Sequence, residues 1–182
     1  MLSKSYQEKS KKGKFSEQKI INALLLGSKA VGKTTIGQRL AGKFYNNILL
    51  AETYGIDFHF LTLENKTSHI YVQIWDINFQ NYKTNSPKFF IENTDILMLV
   101  IDGEESFKEL KKYEDLIKRS NATLKYILWN KIDKQQEGLN EYEVQSFAQK
   151  YNSLLFQISA LKGTHFEEFN QDLRKKVRVS SK

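Results

Sequence analysis

The stretch Gly27-Ser28-Lys29-Ala30-Val31-Gly32-Lys33-Thr34 constrains the chain more than any other. It follows the largely apolar run 20–26 and precedes a segment with Ile36, Leu40 and Phe44 at helical spacing, so it reads as strand, glycine-rich loop and helix. In that context the pattern G-x-x-x-x-G-K-[ST] is a phosphate-binding P-loop. Its glycines let the backbone close around a polyphosphate, with successive N–H groups facing inward. The helix presents its positive end to the same group. Lys33 is placed to bridge the β- and γ-phosphates, and the Thr34 hydroxyl, with Thr35 beside it, to hold Mg²⁺. A chain with this loop is expected to bind a nucleotide.

At 182 residues the chain suits a single domain with a real core, and it has no internal repeat. No apolar run reaches the roughly 20 residues a membrane helix needs, and a cytoplasmic location is expected. There is no cysteine, which excludes disulfides, thiolate metal sites, Cys nucleophiles, prenylation and palmitoylation. Met1-Leu2 likewise argues against myristoylation, so no lipid anchor is expected. His59, His69 and His165 are scattered and suggest no metal site of their own.

The net charge of +7 is concentrated at the ends. Residues 1–19 carry six Lys against two Glu, and residues 174–182 carry five Lys or Arg and no acid. The body between them is slightly acidic, so no specific nucleic-acid binding is expected. The tails read as solvated segments, or as contacts for an acidic protein or membrane surface. The expected organisation is a basic flexible extension over 1–19, one domain over 20–178 and a short basic tail over 179–182.

Within the domain, the patterns predict strands at 20–26, 56–63, 69–75, 95–102, 123–129 and 153–158. Helices are expected at 32–45, 104–119 and 141–151, with irregular loops at 46–55 and 76–88. The last helix carries the stripe Phe166, Phe169, Leu173 and Val177. Asn140 with Glu143, and Thr164 with Glu167, have capping-box spacing before the two final helices. Ile70, Val72 and Ile74 alternate as in a half-buried antiparallel hairpin, whereas 95–102 is continuously apolar between its acidic ends Asp95 and Asp102, as in a strand covered on both faces. The expected fold class is α/β, a six-stranded, mostly parallel sheet with one antiparallel strand and helices on both faces.

Two more boxes follow strand ends, Asn130-Lys131-Ile132-Asp133 and Ser159-Ala160-Leu161-Lys162. With these, the chain resembles the small GTPases of the Ras superfamily over roughly residues 20–177, and the fold implied is the P-loop GTPase fold. The resemblance implies GTP/GDP and Mg²⁺ as ligands. Asp133 would accept from the guanine ring N–H and exocyclic amine, Asn130 would contact the imidazole side, and the Lys131 stem would lie over purine and ribose. The Ala160 N–H, in a loop with Ser159 and Leu161, would donate to the guanine carbonyl. Tyr45 matches the aromatic that closes the guanine edge. Thr53 in Thr53-Tyr54-Gly55-Ile56-Asp57-Phe58 matches switch I, a further Mg²⁺ ligand, and the form of that box points to the Rab branch. Phe58, Trp75 and Phe90 then stand where Rab proteins expose an aromatic trio to effectors, or they are simply core.

The third box departs from the family. Asp76 and Gln80 survive as the Mg²⁺ partner and the group that orients attacking water. The Thr, Ala and Gly between them have become Ile77, Asn78 and Phe79. Phe79 lacks glycine's access to positive φ, which bears on how switch II distinguishes GTP from GDP. Two readings follow: a Rab-like switch with slow hydrolysis by Lys33 and Gln80, or a hydrolysis-impaired structural subunit docked in a larger assembly, such as a ciliary or transport complex. Lys33-Thr34-Thr35 and His59 also suit the Ran branch, but the acidic tail expected there is replaced by a basic one.

Overall fold

The computed structural model describes residues 17–44, 55–64, 68–78, 86–134 and 138–179. In chain order these form β1 (Glu17–Leu26), α1 (Lys33–Leu40), β2 (Ile56–Glu64), β3 (Ser68–Ile77), α2 (Ser86–Glu92), β4 (Ile96–Ile101), α3 (Glu104–Lys111), α4 (Glu114–Arg119), β5 (Leu124–Trp129), α5 (Glu141–Lys150), β6 (Leu154–Gln157) and α6 (Phe166–Val179). The strands make one six-stranded sheet in the order β2-β3-β1-β4-β5-β6. β2 runs antiparallel to β3, and every other pair is parallel. The α/β class and the mixed six-stranded sheet are those expected from the sequence.

Alternation along the strands divides the core into two layers. Ile21, Ala23 and Leu25 of β1 face one layer, with Val72 and Ile74 of β3, Ile36 and Leu40 of α1, and Phe169 and Leu173 of α6. Leu24 and Leu26 face the other, with Phe107 and Leu110 of α3, Ile117 of α4 and Val144 of α5. β4 is buried at every position, which explains its unbroken apolar run: each face meets a layer of helices. Each fully buried aliphatic side chain contributes about 1.5–3 kcal/mol. A polar tie also joins β5 to α6, where Tyr126 Oη donates to Asp172 Oδ2 at 2.8 Å.

Several boundaries differ from the sequence reading. β1 begins at Glu17, because the main chain of Glu17, Gln18 and Lys19 pairs with Ser68, His69 and Ile70; the ladder takes these polar residues as readily as apolar ones. α1 ends at Leu40 rather than near residue 45, and the chain turns through Gly42 at φ 67°. α2 starts inside the expected loop, with Pro87 in its first turn, where the missing N–H costs nothing. The helix expected over 104–119 is two. Lys112 N and Tyr113 N bond to carbonyls three residues back, at Glu109 and Leu110, and this tightened turn re-aims α4. Asn140 caps α5 by accepting from Tyr142 N at 2.9 Å, whereas Glu143 pairs with Lys111 at 3.3 Å. α6 begins at Phe166, and Glu167 bonds Asn170 and Gln171 within the helix.

Candidate nucleotide-binding site

The carboxyl ends of the five parallel strands lie along one edge of the sheet. β1 sits between β3 and β4, so the connections leave it in opposite directions, and this is where open α/β sheets bind ligands. The loop after β1 packs tightly into that edge. A Cβ on Gly27 would lie 2.3 Å from the Val100 carbonyl oxygen of β4. Gly32 has φ 99°, and a Cβ there would lie 2.3 Å from Asn130 Nδ2. Both glycines are therefore required by space, and Gly32 by conformation as well. Ala30 holds φ 63° without being glycine, at a cost of roughly 1–2 kcal/mol.

Ser28 is half-buried, Lys29 and Ala30 are exposed, and Val31 turns into the core. Lys33, first residue of α1, is buried and folds back to donate from Nζ to Gly27 O at 2.9 Å and Ser28 O at 2.8 Å. Burial pulls its ammonium below the ordinary lysine value, against the opposing charges of Asp76 and Glu109. A polyphosphate in the loop would offer this cation a better partner than two carbonyls. Thr35 is buried. Thr34 Oγ1 donates to Asp76 Oδ2 at 2.5 Å, and Asp76 is fully buried at the end of β3. A hydroxyl and a buried carboxylate already joined fit a hard, largely hydrated cation of the Mg²⁺ type. Among the described residues no cluster of three His, Asp or Glu offers a protein-only metal cage.

The base side is tied to the phosphate side by Asn130. Its Nδ2 donates to Val31 O at 2.8 Å and its Oδ1 accepts from Ala160 N at 2.9 Å. Asp133 Oδ1 accepts from Ser159 Oγ at 2.5 Å, which fixes one carboxylate oxygen and leaves the carboxylate exposed at the surface. Ser159 Oγ in turn accepts from Lys162 N at 3.0 Å. Lys131, at φ 65°, bridges to Asp102 Oδ2 at 2.6 Å. Leu161 is exposed beside the buried Ala160. The Ala160 N–H, expected to donate to the guanine carbonyl, donates here to Asn130 Oδ1, so a base carbonyl would share it.

The structure thus brings together Gly27, Ser28, Val31, Gly32, Lys33, Thr34 and Asp76 on one side, and Asn130, Lys131, Asp133, Ser159, Ala160 and Leu161 on the other. Tyr45, Thr53, Phe79 and Gln80 lie outside the described residues. The aromatic trio divides: Phe58 is exposed, Trp75 is buried, and Phe90 is half-buried with its ring 5.3 Å from that of Trp75.

Three features escaped the sequence reading. Asp102 closes the apolar run of β4 and holds Lys131. Arg39, in the last turn of α1, donates from Nε to Ala160 O and from a terminal nitrogen to Leu161 O at 2.9 Å. His59 of β2 is buried against Gly37, with Nε2 at 3.8 Å from Asp76 Oδ2. Arg39 and His59 carry no motif, because their partners are backbone or lie far off in sequence. Asp102 gave a signal, an acid at a strand's carboxyl end.

Comparison with known proteins agrees with this geometry. A family model described as Ras family matches residues 22–179. The chain is 26% identical over 166 residues to the GTP-binding protein YPT1 of Saccharomyces cerevisiae, covering 88% of this chain and 80% of that protein. It is 26% identical over 167 residues to Ras-related protein Rab-13 of Canis lupus familiaris, covering 89% and 82%. With Ras-related protein Rab-10 of Caenorhabditis elegans it shares 29% over 163 residues, covering 87% and 81%. The chain belongs to the Ras family, as a small GTPase of the Rab-like branch.

Proposed function

We propose that this chain is a Mg²⁺-dependent guanine-nucleotide switch of Rab type that hydrolyses GTP slowly. The observation that carries the reading is the Asn130 amide, which links Val31 of the phosphate loop to Ala160 of the base loop. It is supported by Asp133, whose position is set by Ser159. A carboxylate in that place suits the two donors on the guanine edge. It repels adenine, which would leave it unpaired.

In this reading Lys33 leaves the carbonyls of Gly27 and Ser28 to neutralise the β- and γ-phosphates. Thr34 and Thr53 would hold Mg²⁺, with Asp76 orienting the Thr34 hydroxyl, and the ion would supply charge neutralisation on the phosphate oxygens. Gln80 orients a water whose oxygen bonds to the γ-phosphorus as the bond to the β–γ bridging oxygen breaks. GDP and inorganic phosphate leave, and the water's proton passes to the phosphate. No arginine is evident in cis to stabilise the developing charge, so turnover on the order of 10⁻⁴ s⁻¹ is expected without a partner. Effectors would meet the switch regions near Thr53, Phe58, Trp75 and Phe90. The basic tails suit an acidic protein or membrane surface, and a cytoplasmic protein held in a larger assembly fits the whole. Among the described residues no helix is long and apolar enough to cross a membrane.

Phe79 supports a second reading, in which hydrolysis is impaired and the nucleotide mainly stabilises a docked subunit. The hydrogen bond at stake, from the N–H of residue 79 to the γ-phosphate, is charge-assisted and contributes about 1.5–3 kcal/mol, a factor of roughly ten to a hundred between GTP and GDP states. Single-turnover GTP cleavage in the wild type and in Phe79→Gly separates the readings. Slow cleavage in the wild type supports the switch. Cleavage that emerges in the glycine variant alone supports the locked subunit and overturns it.

A further inference from the structure

The end of α1 and the loop after β6 are joined by a contact that no motif announces. Arg39 donates two hydrogen bonds to consecutive carbonyls, those of Ala160 and Leu161. Its guanidinium lies 4.3 Å from the Phe44 ring centroid and 5.6 Å from that of Phe166. A fork with two donors engaged and two aromatic faces nearby has little freedom left. Gly163, at φ 85°, passes close beside it: a Cβ there would lie 3.3 Å from a terminal nitrogen of Arg39.

What this arrangement sets is the direction of the loop's N–H groups. A peptide unit is planar and trans, so its N–H points opposite to its C=O, and the described residues contain no cis bond. Holding the Ala160 carbonyl toward α1 therefore aims the Leu161 N–H away from α1. Holding the Leu161 carbonyl does the same for the Lys162 N–H, which meets Ser159 Oγ at 3.0 Å. From the other side, Asn130 holds the Ala160 N–H at 2.9 Å. The loop is thus pinned from its carbonyl side by Arg39 and from its amide side by Asn130 and Ser159. Arg39 shares its helix with Lys33, so the phosphate end and the base loop are tied through one rigid element.

We infer that Arg39 is a positioning residue for base selection: it holds the 160–161 peptide so that the Leu161 N–H, next to the Ala160 N–H that Asn130 orients, is directed at the carbonyl on carbon 6 of guanine. This rests on the guanine reading above and adds to it a residue that touches neither base nor phosphate.

The test compares two ligands, GDP and the diphosphate of 2-aminopurine riboside, which keeps the exocyclic amine but lacks the 6-carbonyl and, with it, the ring N–H assigned to Asp133. Their affinities are measured by calorimetry for wild type, Arg39→Met and Arg39→Lys, with circular dichroism confirming the fold. In the wild type, loss of both groups should weaken binding about a hundredfold or more. In Arg39→Met, GDP should weaken about tenfold while the 2-aminopurine ligand changes less than about twofold, so the discrimination narrows by about that factor and the part owed to Asp133 remains. Arg39→Lys keeps charge and length but not the fork, and it should fall between them. It also carries the comparison if the Met variant fails to fold. Equal weakening of both ligands, or unchanged discrimination, would overturn the inference and leave Arg39 a brace for the fold. A wild type that binds neither ligand, or binds both alike, would sink the guanine reading itself.

Discussion

Asn130 Nδ2 donates to Val31 O across 2.8 Å, so a side chain at the end of β5 closes the phosphate loop that follows β1. The same amide accepts from Ala160 N and is buried. Replacing Asn130 with Ala would strand a carbonyl and an N–H that water cannot reach easily. Unpaired buried groups cost about 1–3 kcal/mol each, so a loss of about 3 kcal/mol is expected in urea unfolding. Asn130→Asp keeps the acceptor for Ala160 but sets an anion against the Val31 carbonyl, and it should be no better.

Ala30 sits in the left-handed region on the exposed crest of the phosphate loop. Glycine adopts that conformation without strain. Ala30→Gly is expected to stabilise the protein by about 0.5–1 kcal/mol. Thermal melting would show the gain, and an unchanged or lower midpoint would count against strain at this position.

Gly37 and His59 touch where α1 crosses β2. A Cβ at residue 37 would lie 2.2 Å from His59 Cδ2 and 2.7 Å from Nε2. Gly37→Ala should therefore destabilise by about 1–3 kcal/mol, as overpacking does. Adding His59→Ala should remove most of that penalty, which a double-mutant cycle would read as strong non-additivity. Additive effects would show that the two do not compete for space.

Burial and the Asp172 carboxylate both raise the Tyr126 phenol above its ordinary value of 10.0. The folded protein keeps a proton that the unfolded chain releases near pH 10. The tyrosine's contribution is therefore whole below that pH and is lost as pH rises above it. Tyr126→Phe should cost about 1.5 kcal/mol near neutral pH. The gap between variant and wild type should narrow above pH 10, as followed by urea unfolding across that range.

What the sequence disclosed of the site was its local part. The Gly27 to Thr34 loop, the Asn130 to Asp133 box and the Ser159 to Leu161 box are contiguous, and each follows a strand, so spacing alone could bring them to one edge. β4 was legible because burial on both faces leaves a continuous apolar run. Arg39 was not legible, since its partners are backbone carbonyls that any residue provides. The break at Lys112 and Tyr113 was hidden as well. Neither glycine nor proline marks it, and it serves a distant contact in which Glu114 meets Lys150 and Tyr151 at the end of α5. The early start of β1 was missed for a third reason: Glu17, Gln18 and Lys19 enter the sheet through their main chain, about which side-chain polarity says nothing.

The central claim is that the site joined by Asn130 holds a guanine nucleotide. The most direct measurement is to purify the full chain in Mg²⁺, denature it, and identify and quantify what is released by chromatography. The account predicts GDP or GTP in an amount close to that of the protein, with loss of the nucleotide in Asp133→Ala. Adenine nucleotide in that place, or a folded protein that neither carries nor takes up guanine nucleotide, would contradict it.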